Sequence, residues 1–210
     1  MKIWVFVLEI PSDIDLFEER TEGFALVRTL RVAQIGAKVR VVSSNETLAR
    51  GLQEYLALAK TVAQGELLPV LHISAHGNEK GIALTDGSLV SWSELANLLA
   101  PINRELDGNL DVVFSSCKGF HAITMAMAHE QTDPRAFNVL LGPDFEPTWG
   151  EALVGYAAFY YQLIRTKNLD TAWNALRAAS GQQGWHVLSA QTARTLFEEE
   201  LATRGERERY

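Results

Sequence analysis

The sequence has little cysteine, no excess of basic residues and no long apolar run. Its single cysteine, Cys117, cannot form an internal disulfide. Lys and Arg number 19 against 26 Asp and Glu, for a net charge of −7. Proteins that bind nucleic acid or anionic membrane surfaces generally need a basic surface, so we expect neither partner. No apolar run approaches the eighteen or so residues of a membrane span, and we expect a cytoplasmic protein.

The remaining composition is that of a folded globular protein. Hydrophobic residues make up 47% of the chain and charged residues 21%, which excludes a largely disordered protein. The opening apolar run, Ile3 to Leu8, ends at Glu9 and is followed by no small-residue cleavage site, so we interpret it as a buried strand and not a signal peptide. No low-complexity linker or repeat divides the chain. We therefore predict one domain over residues 1–210.

Apolar runs bounded by turn residues alternate with segments of helical period. This pattern is typical of an α/β fold with a mostly parallel sheet and helices on both faces. A small hairpin, with its turn at Asp86-Gly87, should follow the third strand. The six predicted strands are Lys2–Ile10, Lys38–Ser43, Leu68–His76, Leu110–Ser116, Phe137–Gly142 and Trp185–Ser189.

Capping and stop residues predict where the helices begin and end. The first helix should be capped by Asp13 or Asp15 and end at Gly36, and the second should run from Asn45 to Gly65. A third should be capped by Ser91 or Ser93 and end before Pro101. The three later predicted helices have the sequences "GFHAITMAMAHEQ", "TWGEALVGYAAFYYQLIRTKN" and "LDTAWNALRAASG", and the charged tail "EEELATRGERERY" should be a frayed, solvated end.

Two buried strands end in chemically active residues. The block "LPVLHISAHG" ends in His76-Gly77, and the block "LDVVFSSCKG" ends at Cys117. Catalytic and ligand sites of open α/β sheets lie at the carboxyl edge of the strands. If these two strands are neighbours, His76 and Cys117 emerge side by side at that edge.

Such a pair suits nucleophilic attack on a carbonyl carbon. A thiolate is a strong nucleophile, and Cys117 would be activated by the amino end of the helix starting near Gly119 or by His76. His76 would accept the thiol proton and later protonate the leaving amine. The N–H groups of Gly77 and Cys117 would form an oxyanion hole, since Gly77 has no Cβ to block a substrate.

The motifs resemble the caspase-like cysteine peptidases, a clan that includes caspases, gingipains, legumains and separases. A block ending in His-Gly and a second ending in Cys with a nearby Gly are its signature. The resemblance is greatest to the CHAT subgroup, which pairs "HISAHG…IALTDG…VSWSEL" with "LDVVFSSCKG", and it covers roughly Leu68 to Ala179. It implies a caspase-like three-layer sandwich and catalytic roles for His76 and Cys117.

The resemblance also implies a substrate and a setting. Separase-type relatives place an acid after the fifth strand that reads a basic P1 side chain, and the matching stretch here is "LGPDFEPTW". Asp144 is the candidate for that role and Glu146 the reserve. The family often has an acid after the cysteine, whereas this chain has Lys118, which would favour the thiolate. The resemblance also implies a role in a prokaryotic defence or cell-death pathway, with a separate activating partner. We expect no cofactor and no metal.

Other interpretations remain open. His72 would share a strand face with His76, so a zinc site with Cys117 is conceivable, although no fourth ligand is evident. A catalytically inactive caspase-like module would hold a peptide at the same edge by strand addition. A hydrolase of a small thioester or amide is a third possibility. Trp92 and Trp149 border the predicted site and would either line a pocket or pack in the core.

Overall fold

The computed structural model describes residues 2–63, 67–127, 135–196 and 198. Six of the eight strands in this part of the chain form one sheet in the order β2-β1-β3-β6-β7-β8, in which only β8 is antiparallel to its neighbour. The other two, β4 and β5, form a hairpin that extends from β3. The strands are β1 Lys2–Ile10, β2 Gly36–Val41, β3 Leu67–Asn78, β4 Gly81–Ala83, β5 Leu89–Ser91, β6 Asp111–Ser115, β7 Val139–Pro143 and β8 Trp185–Ser189.

Helices cover both faces of the sheet and confirm the predicted three-layer α/β sandwich. One apolar cluster joins the sheet to α3, α4 and a 3₁₀ helix, and a second joins the opposite face to α2, α5 and α6. Strands buried on both faces carry apolar residues in continuous runs, which is why β1 shows no polar alternation. The helices are α1 Asp13–Phe17, α2 Glu22–Val32, α3 Asn45–Ala63, α4 Trp92–Glu105, the 3₁₀ helix Gly119–Met127, α5 Trp149–Thr166 and α6 Leu169–Ser180. None of the helices in these ranges is both long and apolar enough to cross a membrane.

The first predicted helix is wrong in its extent. The segment forms two helices, α1 and α2, and the cap of α1 is Ser12 instead of Asp13 or Asp15. The α2 helix ends at Val32, and the left-handed residue after it is Gln34, with φ of 60°. Gly36, the predicted stop, is instead the first residue of β2.

The helix predicted to stop before Pro101 continues through it. Pro101 lies inside α4 and removes one backbone hydrogen bond, but residues beyond it anchor the last turn. Ile102 is buried, and the Asn103 amide donates to the Arg135 carbonyl oxygen at 2.7 Å while its side-chain oxygen accepts from the Leu110 N–H at 2.9 Å. Tertiary contacts therefore outweigh the local cost. The α4 cap is Ser91, one of the two predicted residues.

The other element predictions are close to the structure. The strand over Phe137–Gly142 begins later, at Val139, and the segment after Cys117 is a 3₁₀ helix. The hairpin forms as expected, and Gly87 takes a φ of 84° in its turn. The Thr85 hydroxyl donates to the Pro11 carbonyl oxygen at 2.6 Å, which ties the hairpin to the end of β1. The predicted helix stop at Gly65, the end of the helix after Met127 and the charged tail after residue 198 lie outside the described residues.

Candidate active site

The strands that carry the two predicted catalytic residues are neighbours. β3 pairs with β6 in parallel, with Ser74 opposite Ser115, so the two strands end at the same edge of the sheet. His76 and Cys117 then line one cavity of about 250 Å³. Residues at equivalent positions of adjacent parallel strands lie side by side. This strand register therefore brings His76 and Cys117 together, although they are distant in the sequence.

Gly77 lies against the backbone that follows β6. A Cβ at this position would stand 3.0 Å from the Cys117 carbonyl oxygen and 3.2 Å from the Ser116 Cβ, so a larger residue would push the two segments apart. Gly77 is opposite Ile82 in the hairpin, next to the pair Asn78 and Gly81 that closes a two-residue turn. Since alternate antiparallel pairs exchange hydrogen bonds and the closing pair does so, the Gly77 N–H is not used by β4.

His76 is held by a carboxylate that the sequence did not reveal as part of the site. The His76 Nε2 and Asp15 Oδ2 atoms are 2.6 Å apart. The Asp15 side chain is only 3% exposed, whereas the His76 side chain is 47% exposed. A carboxylate accepts the N–H of Nε2, which leaves Nδ1 of a neutral His76 as the nitrogen that can take a proton. Asp15 thus selects the tautomer of the ring.

Trp149 fixes the same pair from the first turn of α5. Its indole N–H donates to Asp15 Oδ1 at 3.2 Å, and its ring meets the His76 ring edge-on with centroids 5.2 Å apart. Trp149 also lines the cavity. Of the two roles predicted for it, lining a pocket or packing in the core, the structure thus shows the first. Trp92 is the opposite case, because it is buried and packs against Phe114 with centroids 5.3 Å apart.

The α1 helix positions Asp15 at its third residue. The Ser12 hydroxyl accepts the Asp15 N–H, and the Asp15 carboxylate accepts the Ser12 N–H at 3.0 Å, the reciprocal pattern of a capping box. Burial raises the pKa of Asp15, but hydrogen bonds from Ser12, His76 and Trp149 outweigh it and lower the pKa to about 2. Asp15 is therefore ionised at neutral pH and can accept the Nε2 proton of the His76 ring.

The electrostatics around Cys117 differ from the expectation. Burial raises the pKa of the thiol above its ordinary value, and the negative charge of Glu146 raises it further. Lys118 lowers the pKa, as predicted, but its effect is smaller. The helix that begins at Gly119 is a 3₁₀ helix, and the free thiol is half-buried. The resting site thus favours the thiol, and a base is needed to form the thiolate.

The two acids predicted to read a basic P1 side chain do not line the cavity. The Asp144 carboxylate accepts a hydrogen bond from His186 Nε2 at 2.8 Å, and the Lys118 ammonium donates to the Asp144 carbonyl oxygen at 3.0 Å. Glu146 acts on the Cys117 thiol through its charge. Of the two acids, Glu146 is thus the one whose charge acts on Cys117.

His72 takes a structural position. Its Nδ1 lies 3.0 Å from the Tyr160 hydroxyl, and its ring packs edge-on against Tyr156 with centroids 4.8 Å apart. It is fully buried on the strand face that carries the second apolar cluster. Within the described residues no group of three or more His, Cys, Asp or Glu side chains is arranged to hold a metal ion. The zinc alternative has no support from this geometry.

Fold and site together define a three-layer α/β protein in which the single cysteine and a carboxylate-bound histidine share one cavity at the carboxyl edge of the sheet. No protein-family model matches the chain, and no curated protein matches it either.

Proposed function

We propose that the protein is a cysteine endopeptidase that uses Cys117 as the nucleophile and His76 as the general acid and base. The observation that carries this proposal is the shared cavity, which is lined by both the Cys117 thiol and a His76 imidazole whose Nε2 is bound by the buried Asp15 carboxylate. A nucleophile, a base and a group that orients the base are the three parts that covalent acyl transfer requires. The CHAT-like motifs around both residues support the same assignment.

The reaction follows from these positions. His76 Nδ1 takes the thiol proton as the Cys117 sulfur attacks the scissile carbonyl carbon, and the N–H groups of Gly77 and Cys117 donate to the oxyanion. The imidazolium, stabilised by Asp15, returns the proton to the leaving amine as the C–N bond breaks. Water then attacks the thioester while His76 accepts its proton, and the released thiol regains it. The raised pKa of Cys117 makes the proton transfer to His76 the step on which activity depends.

A basic P1 side chain is part of the proposal, with Glu146 as the acid that attracts it. Among the described residues that line the cavity with His76 and Cys117, Arg20 carries the one permanent charge, and its guanidinium lies 2.7 Å from Glu18 and 3.6 Å from Asp15. Two carboxylates offset the charge of Arg20, so it does not exclude a basic substrate. A cytoplasmic role in prokaryotic defence or cell death, with a separate activating protein, completes the proposal.

The test of the catalytic pair is the pH dependence of Cys117 alkylation by iodoacetamide. We expect the wild-type rate to rise with pH along a profile that the His76→Ala variant changes, because the ring takes the thiol proton. The Cys117→Ala variant should lose cleavage of a peptide library while its unfolding curve stays unchanged. Undiminished cleavage by Cys117→Ala would end the assignment.

The inactive interaction module predicts a different result. It would bind a peptide at the same edge without turnover, and its alkylation profile would be the same in the wild type and in His76→Ala. Comparing peptide binding by Cys117→Ala with cleavage by the wild type separates the two functions. Binding without cleavage, both alone and with a cell extract that supplies an activator, would favour the module.

A further inference from the structure

The Ser115 hydroxyl lacks a hydrogen-bond partner although it is buried at the end of a strand. Ser115 is 1% exposed, and its Oγ atom makes no hydrogen bond to any group in the ranges that the structure describes. Burying a hydroxyl without a hydrogen bond costs free energy, so nearly all such groups in native proteins have a partner. A molecule that enters the adjoining cavity can supply that partner.

Ser115 lies on the wall of the cavity that contains the proposed catalytic pair. It lines this cavity together with His76 and Cys117, and it is the last residue of β6, two positions before the cysteine. Its register partner Ser74 lies two positions before His76 on β3. Since the side chains of a strand alternate between its faces, Ser74 and His76 share one face of the sheet, and Ser115 lies on that face beside Ser74.

The α5 helix covers this face and leaves room for a small molecule next to Ser115. Ala152, a small and buried residue, lines the cavity from α5. One turn further along the helix, the buried Tyr156 donates its hydroxyl to the Phe114 carbonyl oxygen at 2.7 Å, so helix and strand are in direct contact there. Ser115 thus lies at the inner end of a cavity of about 250 Å³, which exceeds the roughly 30 Å³ that one water molecule occupies in the liquid.

We propose that Ser115 positions the water that hydrolyses the acyl-enzyme. This inference rests on the proposed peptidase function and concerns the second half of that reaction. The water donates one hydrogen bond to His76 Nδ1 and the other to Ser115 Oγ. Its oxygen bonds to the thioester carbonyl carbon as Nδ1 takes the first proton, the C–S bond breaks, and the Cys117 sulfur receives that proton from the imidazolium. The products are the carboxylic acid and the free thiol.

Ser115 should affect only this second half, because the nucleophile of the first half is the Cys117 thiol and no water takes part in it. Holding the water in the direction of attack lowers the barrier by orientation, so removal of the hydroxyl should slow hydrolysis of the thioester by about 10- to 100-fold. A side chain that binds the substrate would instead change KM, and one that the fold requires would lower the rates of both halves.

The experiment measures the two halves separately with the p-nitrophenyl ester of an N-blocked lysine. An activated ester acylates the thiol quickly, so a burst of p-nitrophenol reports acylation and the steady rate reports hydrolysis of the thioester. In Ser115→Ala, kcat and KM should both fall by about 10- to 100-fold, while the burst and kcat/KM stay unchanged. Mass spectrometry of the quenched protein should show that the acyl group remains on Cys117 for longer.

Ser74→Ala is the matched control for Ser115→Ala. Ser74 is fully buried beside Ser115, its Oγ also lacks a partner among the described residues, and it does not line the cavity. The steady rate of Ser74→Ala should equal that of the wild type, and Ser115→Thr, which keeps the hydroxyl, should retain most of that rate. Both Ala variants should have a free energy of unfolding no lower than that of the wild type, since each loses an unpaired buried hydroxyl.

Several outcomes would contradict the water site. A wild-type steady rate in Ser115→Ala would overturn it and leave the peptidase proposal intact, as would a raised KM with unchanged kcat, which would make Ser115 a contact for the substrate. Equal losses of burst and steady rate, or the same loss in Ser74→Ala, would show a structural role. If the wild type formed no acyl group on Cys117 and released no product, the peptidase itself would be refuted, and the water site with it.

Discussion

Asp15 and Glu146 would act in opposite directions on the two residues that we propose to be catalytic. Asp15 Oδ2 lies 2.6 Å from His76 Nε2 and orients the ring so that Nδ1 is the nitrogen free to take the thiol proton. Glu146 raises the pKa of Cys117 and so opposes ionisation of the same thiol. In the proposed mechanism, such a site keeps the thiol protonated at rest and transfers its proton when the histidine is correctly placed.

Changing Asp15 to Asn should lower kcat by about 10²- to 10⁴-fold, because an amide no longer selects the tautomer of His76 or stabilises its charge. The pH profile of kcat should also change, which a purely structural defect would not produce. Asp13→Asn is the matched control, since Asp13 lies exposed on the same helix. Equal losses in both variants would show that α1 matters only for folding.

Changing Glu146 to Gln should have two effects of opposite sign. The pKa of Cys117 should fall because a nearby negative charge is lost, so alkylation at neutral pH should become faster. Cleavage after Lys or Arg should become slower relative to cleavage after neutral residues. Asp144→Asn is the control, since the Asp144 carboxylate is bound to His186. Unchanged P1 preference in Glu146→Gln would refute its role in specificity.

At the scale of elements, the five-residue α1 helix is short, yet it positions Asp15, which binds the His76 ring. Helices of this length are not stable alone and depend on caps and tertiary contacts. In α1, the capping box of Ser12 and Asp15 provides the cap. The hydrogen bonds that join Asp15 to His76 and Trp149 provide the tertiary contacts. The cap of α1 and the orientation of His76 therefore depend on the same carboxylate.

Changing Ser12 to Ala should lower the free energy of unfolding by about 1 kcal/mol and should also lower kcat, since Asp15 loses a bond that orients it. Ser91→Ala removes the equivalent cap of α4, which also forms a capping box, with Glu94. The Ser91→Ala control should lower the free energy of unfolding by a similar amount without affecting kcat. Chemical denaturation and peptide cleavage measure the two quantities, and a similar loss of kcat in both variants would contradict the link.

At the scale of the whole molecule, a buried acid makes folding sensitive to pH. Glu9 is 1% exposed, and its side-chain Oε2 accepts the Phe24 N–H at 2.9 Å, under the start of α2. Burial, and then the negative charge of Glu22, raises the pKa of Glu9 to about 8. The folded protein therefore keeps a proton on Glu9 at neutral pH that the unfolded chain releases near its ordinary pKa of 4.5.

This difference predicts how stability changes with pH. The contribution of Glu9 is fully present below pH 4.5, decreases as the pH rises and is lost above about pH 8. Since one pKa unit corresponds to about 1.4 kcal/mol, the change amounts to several kcal/mol. Urea unfolding between pH 5 and 9 should show this decline, and Glu9→Gln should flatten it. An equally steep decline in Glu9→Gln would assign it to other groups.

The sequence by itself determined the α/β class, the order of most elements and the two strand ends that carry His76 and Cys117. Long apolar runs, helix caps and the His-Gly and Cys motifs are local signals, so they can be read without knowing the neighbours of a residue. From the sequence, the third member of the site, Asp15, could be interpreted only as a helix cap, because its partner His76 lies 61 positions away.

Tertiary structure alone decided the rest. The pairing of β3 with both β1 and β6 brings Asp15, His76 and Cys117 to one edge, and strand order depends on long-range packing that no local pattern encodes. The continuation of α4 through Pro101 and the raised pKa of Cys117 have the same origin, because burial and distant side chains outweigh local preference. Local sequence motifs identified the reactive residues, whereas the fold determined which side chains contact them.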